Sequence, residues 1–408
     1  MVAKIQEQKQ EAETAKSVTI SELLKSRITN MDKLRELSWN GIPPKYRAEV
    51  WKLLLGYLPA NSSRRAATLK RRRQEYSDIS SICLKAVETG PVTPSETERE
   101  TFRQIKVDVP RTAPCVLLFR NERVQKSLLN LLYSWAYRNP ATSYVQGIND
   151  IIAPLFAVFL GGYFDGADVT RWNLDRKEIS EEIFLEVEAD CFFCLTNFLS
   201  NIQENFTADQ PGIQRMVHKL ETFIERIDND LHQHFKKCGL QFLYFSFRWM
   251  NCLLTREFSI HSIIRMWDTY FSETHAKGGF DQFHVYVCAA LLLNYRPFLK
   301  GMSHDELFEF LTTKLRNMSD SSINIEMILS QAHVWKVSFN ESQSHFSSLD
   351  SKIKTKHTII STSPIISLRQ EIKVNDDVDD DDEDSSDEEI APTCFMNDVD
   401  FLCYKTDE

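Results

Sequence analysis

Residues 239–258, GLQFLYFSFRWMNCLLTREF, decide the fold class because this stretch is apolar on almost every side. A helix that is apolar all round its circumference is buried among neighbours on every side. Arg248 lies in the middle of the stretch, so its charge must find a partner within the fold. The stretch therefore predicts the central helix of a helical domain.

Apolar residues recur at helical spacing on both sides of this stretch. Residues 124–138 place their apolar side chains along one stripe, as a core-facing helix does. A lead-in helix, capped by Thr19 or Ser21, is predicted to reach about Leu37. Further helices are predicted at residues 95–105, 151–159, 189–202, 213–227, 240–254, 260–271, 280–293, 305–315 and 323–334. Together they predict an all-α fold with a single large multi-helix domain.

The composition agrees with one large domain and two tails. Of the 408 residues, 42% are hydrophobic and only 12 are glycine, which favours a sizeable helical core over a turn-rich β protein. We predict a flexible N-terminus at residues 1–17, either frayed or a solvated helix, and the domain with its lead-in helix at residues 18–338. Residues 339–408, rich in Ser and Thr and then acidic, are predicted to be a disordered tail.

The net charge of −10 is concentrated in the tail. Residues 376–389 carry eleven carboxylates and no basic residue. The rest of the chain is close to neutral, and without a broad basic face it is not expected to bind nucleic acid. We interpret the acidic run as a solvated tail, with binding to a basic partner as the alternative.

Cysteine usage and hydropathy indicate a protein that is cytoplasmic or peripherally associated with a membrane. The nine cysteines are scattered and odd in number, which is typical of reduced thiols. The longest apolar run, residues 151–164, is too short to span a membrane, so no transmembrane segment is expected. Cys191 and Cys194 have redox spacing but lie in an apolar helical run, so we interpret them as core residues.

Other patterns have ordinary structural interpretations. His232 and His234 lack a second ligand pair at suitable spacing, which favours a solvated helix face over a metal site. The basic run at residues 64–76 is interpreted as a charged, exposed helix rather than a nuclear signal or a membrane-facing patch. No phosphate-binding glycine loop and no serine nucleophile elbow occurs, so a nucleotide-binding or hydrolytic enzyme has little support.

One short segment presents a cation on a stiff backbone. The sequence IKVDVPRTAP, residues 105–114, brackets Arg111 between Pro110 and Pro114. Because proline restricts the residue before it, Arg111 is held ready for a site where negative charge develops. Asp108 could orient the guanidinium by hydrogen bonds. An ordinary surface Asp–Arg pair is the alternative.

A second segment presents an amide beside a glycine. In SYVQGINDIIAPL, residues 143–155, Gly147 permits a close approach of the backbone and Asp150 could cap the helix that follows. Gln146 has both the donor and the acceptor that position an attacking water in GTP hydrolysis. A turn amide bonded to local backbone is the alternative.

Together these segments resemble the TBC Rab GTPase-activating domain. The resemblance covers residues 38–337 and is similar in detail to the Golgi-associated subfamily. The matching motifs are Ile105, Asp108, Arg111 and Thr112 for IxxDxxRT; Tyr144, Gln146 and Gly147 for YxQG; and Gly41, Ile42, Pro43, Arg47 and Trp51 for the opening GIP, R and W.

The resemblance implies a GTPase-activating protein, a catalytic activator of a partner GTPase, and leaves open whether it is an enzyme in its own right. Arg111 and Gln146 would enter the site of a Rab-family GTPase in trans. The supporting residues would be Asp108, Thr112, Tyr144, Gly147, Asn149 and Asp150. The protein would need no cofactor of its own, because Mg²⁺ and GTP would arrive bound to the Rab.

A scaffold that binds a Rab or a Golgi adaptor without turnover is the competing hypothesis. The presence of both finger residues in complete motifs argues against it. A peripheral location at the Golgi or another endomembrane follows from the subfamily resemblance alone.

Overall fold

The computed structural model describes residues 2–88, 95–174, 178–207, 209–273, 279–317 and 324–340. Within these ranges the regular structure is helical, apart from an isolated bridge between Ile28 and Asn61. The predicted all-α fold is therefore confirmed. Met1–Val337 is one compact unit, and the predicted tail lies outside the described residues from residue 341 onward. None of the described helices combines the length and the apolar character needed to cross a membrane.

The helices are numbered in chain order, and short 3-10 or π segments join some of them. The first nine are α1 (Val2–Lys25), α2 (Met31–Trp39), α3 (Pro44–Leu54), α4 (Ser62–Glu88), α5 (Glu96–Asp108), α6 (Leu117–Arg120), α7 (Glu122–Arg138), α8 (Ile148–Gly162) and α9 (Glu181–Leu199). They are followed by α10 (Pro211–Ile227), α11 (Asn229–Cys238), α12 (Phe242–Asn251), α13 (Ile260–Glu273), α14 (Gly279–Asn294), α15 (Arg296–Leu299), α16 (His304–Glu309), α17 (Leu315–Asn317) and α18 (Ile325–Asn340). The N-terminal segment predicted to be frayed or helical is helical from Val2, as part of α1.

The predicted lead-in helix is two helices in the structure. α2 begins after Asn30, whose side chain accepts a hydrogen bond from the backbone N–H of Lys33. Just before this cap, the backbone N–H of Thr29 donates to the carbonyl of Ala60 at 2.9 Å. That contact with a later segment replaces a helical hydrogen bond, so the prediction of one helix over residues 19–37 is wrong.

α8 occupies the centre of the domain. Nearly all of its residues are buried, and it packs against α3, α7, α9 and α13. α12, which the sequence predicts as the central helix, is buried on one side, whereas Tyr244 on its other side is 38% exposed. Arg248 has the partner that its position requires, because its guanidinium donates to Glu257 at 2.7 and 3.0 Å.

One buried carboxylate fastens the start of the domain to α13. Asp268 is fully buried. It accepts a hydrogen bond from the backbone N–H of Ile42 at 2.8 Å, and further ones from the side chains of Arg47 and Trp51. Burial raises the pKa of Asp268, and the charge of Arg47 acts against that rise. The opening GIP, R and W motif therefore joins α3 to α13.

The basic run at residues 64–76 is only partly the exposed helix that the sequence predicts. It lies in α4, from which Arg73 reaches inward and donates to the buried Asp190 of α9 at 3.0 and 3.2 Å. Lys52 and Tyr57 bond to the same carboxylate. Burial alone would raise the pKa of Asp190, but Lys52 and Arg73 outweigh it and the pKa is lowered. This ion cluster links α3, α4 and α9.

The side chains that suggested redox or metal chemistry are packed into the domain. Cys191 and Cys194 are fully buried in α9, so their predicted role in the core is confirmed. His232 and His234 are half-buried rather than solvated, and His234 contacts the carbonyl of Met302 at 3.0 Å. Across the described ranges, no group of histidine, cysteine and carboxylate side chains could hold a metal ion.

Candidate functional site

Arg111 ends a 3-10 turn, Val109–Arg111, that continues directly from α5. The next residue, Thr112, closes the turn with its backbone N–H on the carbonyl of Val109 at 3.1 Å and its hydroxyl on the carbonyl of Asp108. Arg111 itself is exposed, and its guanidinium forms no hydrogen bond or ion pair with the described residues. The backbone is thus held while the charge remains available to a partner.

Asp108 does not orient Arg111, which corrects the sequence prediction. Its carboxylate is buried and accepts hydrogen bonds from the hydroxyl of Tyr144 at 2.9 Å and from the side chain of Gln104 at 3.1 Å. Asp108 is the last residue of α5 and turns toward the domain, whereas Arg111 turns toward solvent. Burial raises the pKa of Asp108, and the two hydrogen bonds act against that rise.

The glutamine segment makes a turn that strongly favours glycine. Gly147 has a φ of 108°, and a Cβ placed on it would lie 2.6 Å from Nδ2 of Asn251. The turn is closed by the backbone N–H of Ile148, which donates to the carbonyl of Val145 at 3.1 Å. The close approach that the sequence predicts for this glycine is therefore present, and Asn251 is the group approached.

Two asparagines hold the peptide group that follows Gln146. The carbonyl of Gln146 accepts a hydrogen bond from Nδ2 of Asn251 at 2.8 Å. The N–H of Gly147, at the other end of the same planar group, donates to Oδ1 of Asn149 at 3.0 Å. The side chain of Gln146 is half-buried and makes no hydrogen bond within the described part of the chain. Its backbone is fixed, and its amide is free.

Asn149 and Tyr144 connect the glutamine segment to the arginine segment. Nδ2 of Asn149 donates to the hydroxyl of Thr112 at 3.0 Å, and the hydroxyl of Tyr144 bonds to Asp108. Burial and the neighbouring carboxylate of Asp108 raise the pKa of Tyr144 well above its ordinary value, so the phenol stays a donor. These buried contacts set the position of each segment relative to the other.

Asp150 does not cap α8 with its side chain, contrary to the sequence prediction. Gly147 occupies the cap position, and Asp150 lies in the first turn of the helix. Its carboxylate pairs with the guanidinium of Arg256, with both nitrogen-to-oxygen distances at 2.8 Å. The charge of Asp150 raises the pKa of Arg256 above its already high ordinary value. Asp150 therefore anchors the helix that carries the glutamine segment.

Asn251 and Arg256 are the site residues that the sequence reasoning missed. They belong to the stretch at residues 239–258 that predicted a buried helix, and the only local signal is the presence of polar side chains in an apolar run. Their partners Gln146 and Asp150 lie more than a hundred residues earlier in the chain. No local spacing rule relates residues so far apart.

Comparisons with known proteins agree with this arrangement. The family model for the Rab-GTPase-TBC domain matches residues 44–300. The GTPase-activating protein gyp1 of Schizosaccharomyces pombe is 42% identical over 325 residues, which cover 80% of this chain and 62% of that protein. Human TBC1 domain family member 22B is 40% identical over 328 residues, which cover 80% of this chain and 62% of that protein. The chain thus matches less than two thirds of the length of these relatives.

Solved structures show the same fold. The crystal structure of the Ypt/Rab-GAP domain of Gyp1p has a TM-score of 0.72 at 40% identity, and the match covers 80% of this chain and 99% of that one. A flagellar RabGAP TBC domain from Chlamydomonas has a TM-score of 0.53 at 16% identity, covering 79% of this chain and 91% of that one, which speaks for the fold alone.

Proposed function

This chain belongs to the Rab-GTPase-TBC domain family, and from that premise we propose that it accelerates GTP hydrolysis on a Rab-family GTPase. Two relatives carry GTPase activation or a Rab-GAP domain in their names. The observation that supports the proposal best is that Arg111 and the amide of Gln146, both without hydrogen-bond partners among the described residues, lie on two segments joined by buried hydrogen bonds.

Arg111 supplies charge in the proposed mechanism. GTP hydrolysis builds negative charge on the transferred phosphoryl group, and a guanidinium held in place stabilises that charge without rearranging during the reaction. The 3-10 turn fixes the Cα of Arg111, and the absence of a partner among the described side chains leaves the guanidinium unneutralised. In the Ras case, an arginine provided by the activating protein contributes about 10³- to 10⁵-fold to the rate.

Gln146 positions the attacking water in the proposed mechanism. Its amide can accept one hydrogen bond from the water and donate another toward the phosphate. The start of this side chain is held in place, because the peptide group after Gln146 bonds to Asn149 and Asn251. Asp108, Thr112 and Tyr144 hold the two fingers at a set separation and take no part in the chemistry.

The nucleotide and its Mg²⁺ belong to the GTPase in this proposal. The chain has no glycine-rich phosphate loop of its own. The proposal includes a cytoplasmic location, peripheral to the Golgi or another endomembrane where the GTPase resides. Whether a Golgi adaptor or a ligand of the acidic tail takes part stays a prediction from the sequence.

Phosphate release from a panel of GTP-loaded Rab proteins tests the proposal directly. The full chain should accelerate release on one or a few Rabs, and Arg111→Ala and Gln146→Ala should each abolish the acceleration. Arg64→Ala, which removes an exposed arginine of α4, is the matched control and should behave like the wild type. Loss of activity in Arg64→Ala would show that the effect of Arg111→Ala is not specific to Arg111.

Arg111→Lys separates catalysis from binding. Lysine keeps the charge but lacks the planar fork of donors, so hydrolysis should collapse while Rab binding persists. A folded wild-type chain that binds a Rab without accelerating any member of a broad panel would instead favour the scaffold hypothesis.

A further inference from the structure

We infer that Asn251 is a positioning residue for Gln146, an inference that rests on the function proposed above. Asn251 is the last residue of α12 and is 3% exposed. Its Nδ2 donates to the carbonyl of Gln146 at 2.8 Å, although 105 positions separate the two residues in the chain. It would therefore act on the proposed chemistry through Gln146.

The geometry explains how a backbone contact controls a side chain. A peptide group is planar and rotates as a unit, so fixing the carbonyl of Gln146 and the N–H of Gly147 fixes the backbone torsion of Gln146. The amide of Gln146 has no hydrogen bond of its own to the described residues. That torsion sets the direction of the Cα–Cβ bond from which the amide extends. Without the donor on Asn251, the peptide group could rotate about its remaining contact with Asn149.

Asn251 sits in surroundings that are costly for stability. Its Oδ1 is buried and has no hydrogen-bond partner among the described residues, and an unsatisfied buried acceptor is unfavourable. Two residues later, Leu253 and Leu254 are fully buried with φ values of 50° and 62°, a region that leucine rarely adopts. Unsatisfied groups and strained backbone of this kind cluster at functional sites. The unpaired Oδ1 and the strained leucines therefore indicate that this segment has a function, which we infer to be holding the glutamine segment.

The same segment also holds α8, the helix that follows Gln146. Arg256 pairs with Asp150 in the first turn of α8. Asn251 and Arg256 thus hold the glutamine segment at two points, one just before the turn of Gly147 and one just after it. The segment at residues 251–256 is therefore the support on which the glutamine finger rests.

Asn251→Asp is the sharpest test, because it keeps the size of the side chain and replaces the donor by a second acceptor. On the Rab that the wild type activates, kcat should fall roughly 10- to 100-fold, as a misplacement of about 1 Å can cause. The KM for the Rab should change less than about twofold, since no binding contact is removed.

Asn205→Asp is the matched control, since Asn205 is also buried at 2% exposure but contacts Met216 of α10 instead. It should lower stability and leave kcat unchanged. If Asn251→Asp fails to fold, Asn251→Ala removes the donor without adding charge. An equal fall in kcat for Asn251→Asp and Asn205→Asp, or a KM effect in place of a kcat effect, would overturn the inference.

Hydrogen exchange separates this inference from the function on which it rests. Peptides covering residues 143–155 should exchange faster in Asn251→Asp than in the wild type, and Asn205→Asp should leave them unchanged. This readout needs no active partner. If the wild type activates no Rab, the proposed function fails while the exchange result still decides the positioning role. Unchanged exchange at the glutamine segment would refute it.

Discussion

At the scale of single residues, the site depends on a few buried polar atoms rather than on the two fingers alone. Arg111 and Gln146 are the side chains without partners among the described residues of the site, while Asp108, Thr112, Tyr144 and Asn149 satisfy one another. Buried networks of this kind are rigid when every member is paired. The side chains of Arg111 and Gln146 are thus unpaired among the described residues, while the backbone at each residue is held in place.

Tyr144→Phe tests whether this network matters for activation. The change removes one hydroxyl and leaves the buried carboxylate of Asp108 without its donor at 2.9 Å. We expect a loss of stability of about 1–3 kcal/mol and a fall in Rab activation of about tenfold. Urea unfolding and phosphate release measure the two effects. Tyr137→Phe, at a tyrosine that is 44% exposed, should change neither.

Gly147→Ala tests the close approach at the glutamine turn, and the chain offers a matched control. Gly147 and Gly56 both have positive φ, 108° and 71°, but only at Gly147 would a Cβ meet another group within 4 Å. Gly56→Ala should cost about 1–2 kcal/mol from backbone strain alone. Gly147→Ala should cost more and abolish activation, because it displaces Asn251. Equal effects of the two substitutions on stability and activation would contradict this account.

The sequence identifies the two proposed finger residues but not all of the residues that support them. Arg111 and Gln146 follow from short motifs in which all the informative residues are neighbours. The predicted contact between Asp108 and Arg111 is wrong, because sequence spacing does not show that Asp108, the last residue of α5, is turned into the domain. Asn251 could not be found, because its partner lies 105 positions away.

At the scale of helices, the predicted elements are also wrong where contacts between distant segments decide the structure. Periodicity locates the helices of the core well, since burial and spacing agree there. The lead-in helix is broken at Thr29 because its backbone N–H bonds to Ala60, a contact between segments that periodicity does not report. The side chain of Arg73, in the basic run, turns inward because it pairs with the buried carboxylate of Asp190 in α9.

Asp190→Asn tests the ion cluster that joins α3, α4 and α9. The substitution leaves Lys52 and Arg73 without their charged partner, and breaking a buried pair in this way costs about 3–5 kcal/mol. Because the pKa of Asp190 is lowered in the folded state, its stabilising effect is present above its ordinary pKa of 3.8 and is lost as the pH falls through the folded-state value.

The difference in unfolding free energy between wild type and Asp190→Asn should therefore be constant from pH 7 to pH 5. It should shrink below about pH 4, because the wild type then loses the same interaction. Urea unfolding over this range measures it. A difference that grows on acidification would mean that the pKa shift has the opposite sign.

At the scale of the whole molecule, the three motifs that carry the resemblance divide into two kinds. The arginine and glutamine motifs meet at the candidate site, with α12 behind them. The opening motif, from Ile42 to Trp51, meets Asp268 of α13 and has no contact with either finger in the described structure. These motifs thus serve either the proposed chemistry or the closure of the domain, and only the fold distinguishes the two roles.

Asp268→Asn and Arg111→Ala should consequently have opposite effects. Asp268→Asn removes the charge opposite Arg47 inside the core, so unfolding should cost about 3–5 kcal/mol less, while activation by the protein that remains folded should be unchanged. Arg111→Ala removes an exposed side chain, so stability should stay within about 0.5 kcal/mol while activation is lost. Urea unfolding and phosphate release at a temperature where both variants are folded give the four values. If folded Asp268→Asn has a lower kcat, the opening motif also affects the candidate site. The assignment of this motif to domain closure alone would then be wrong.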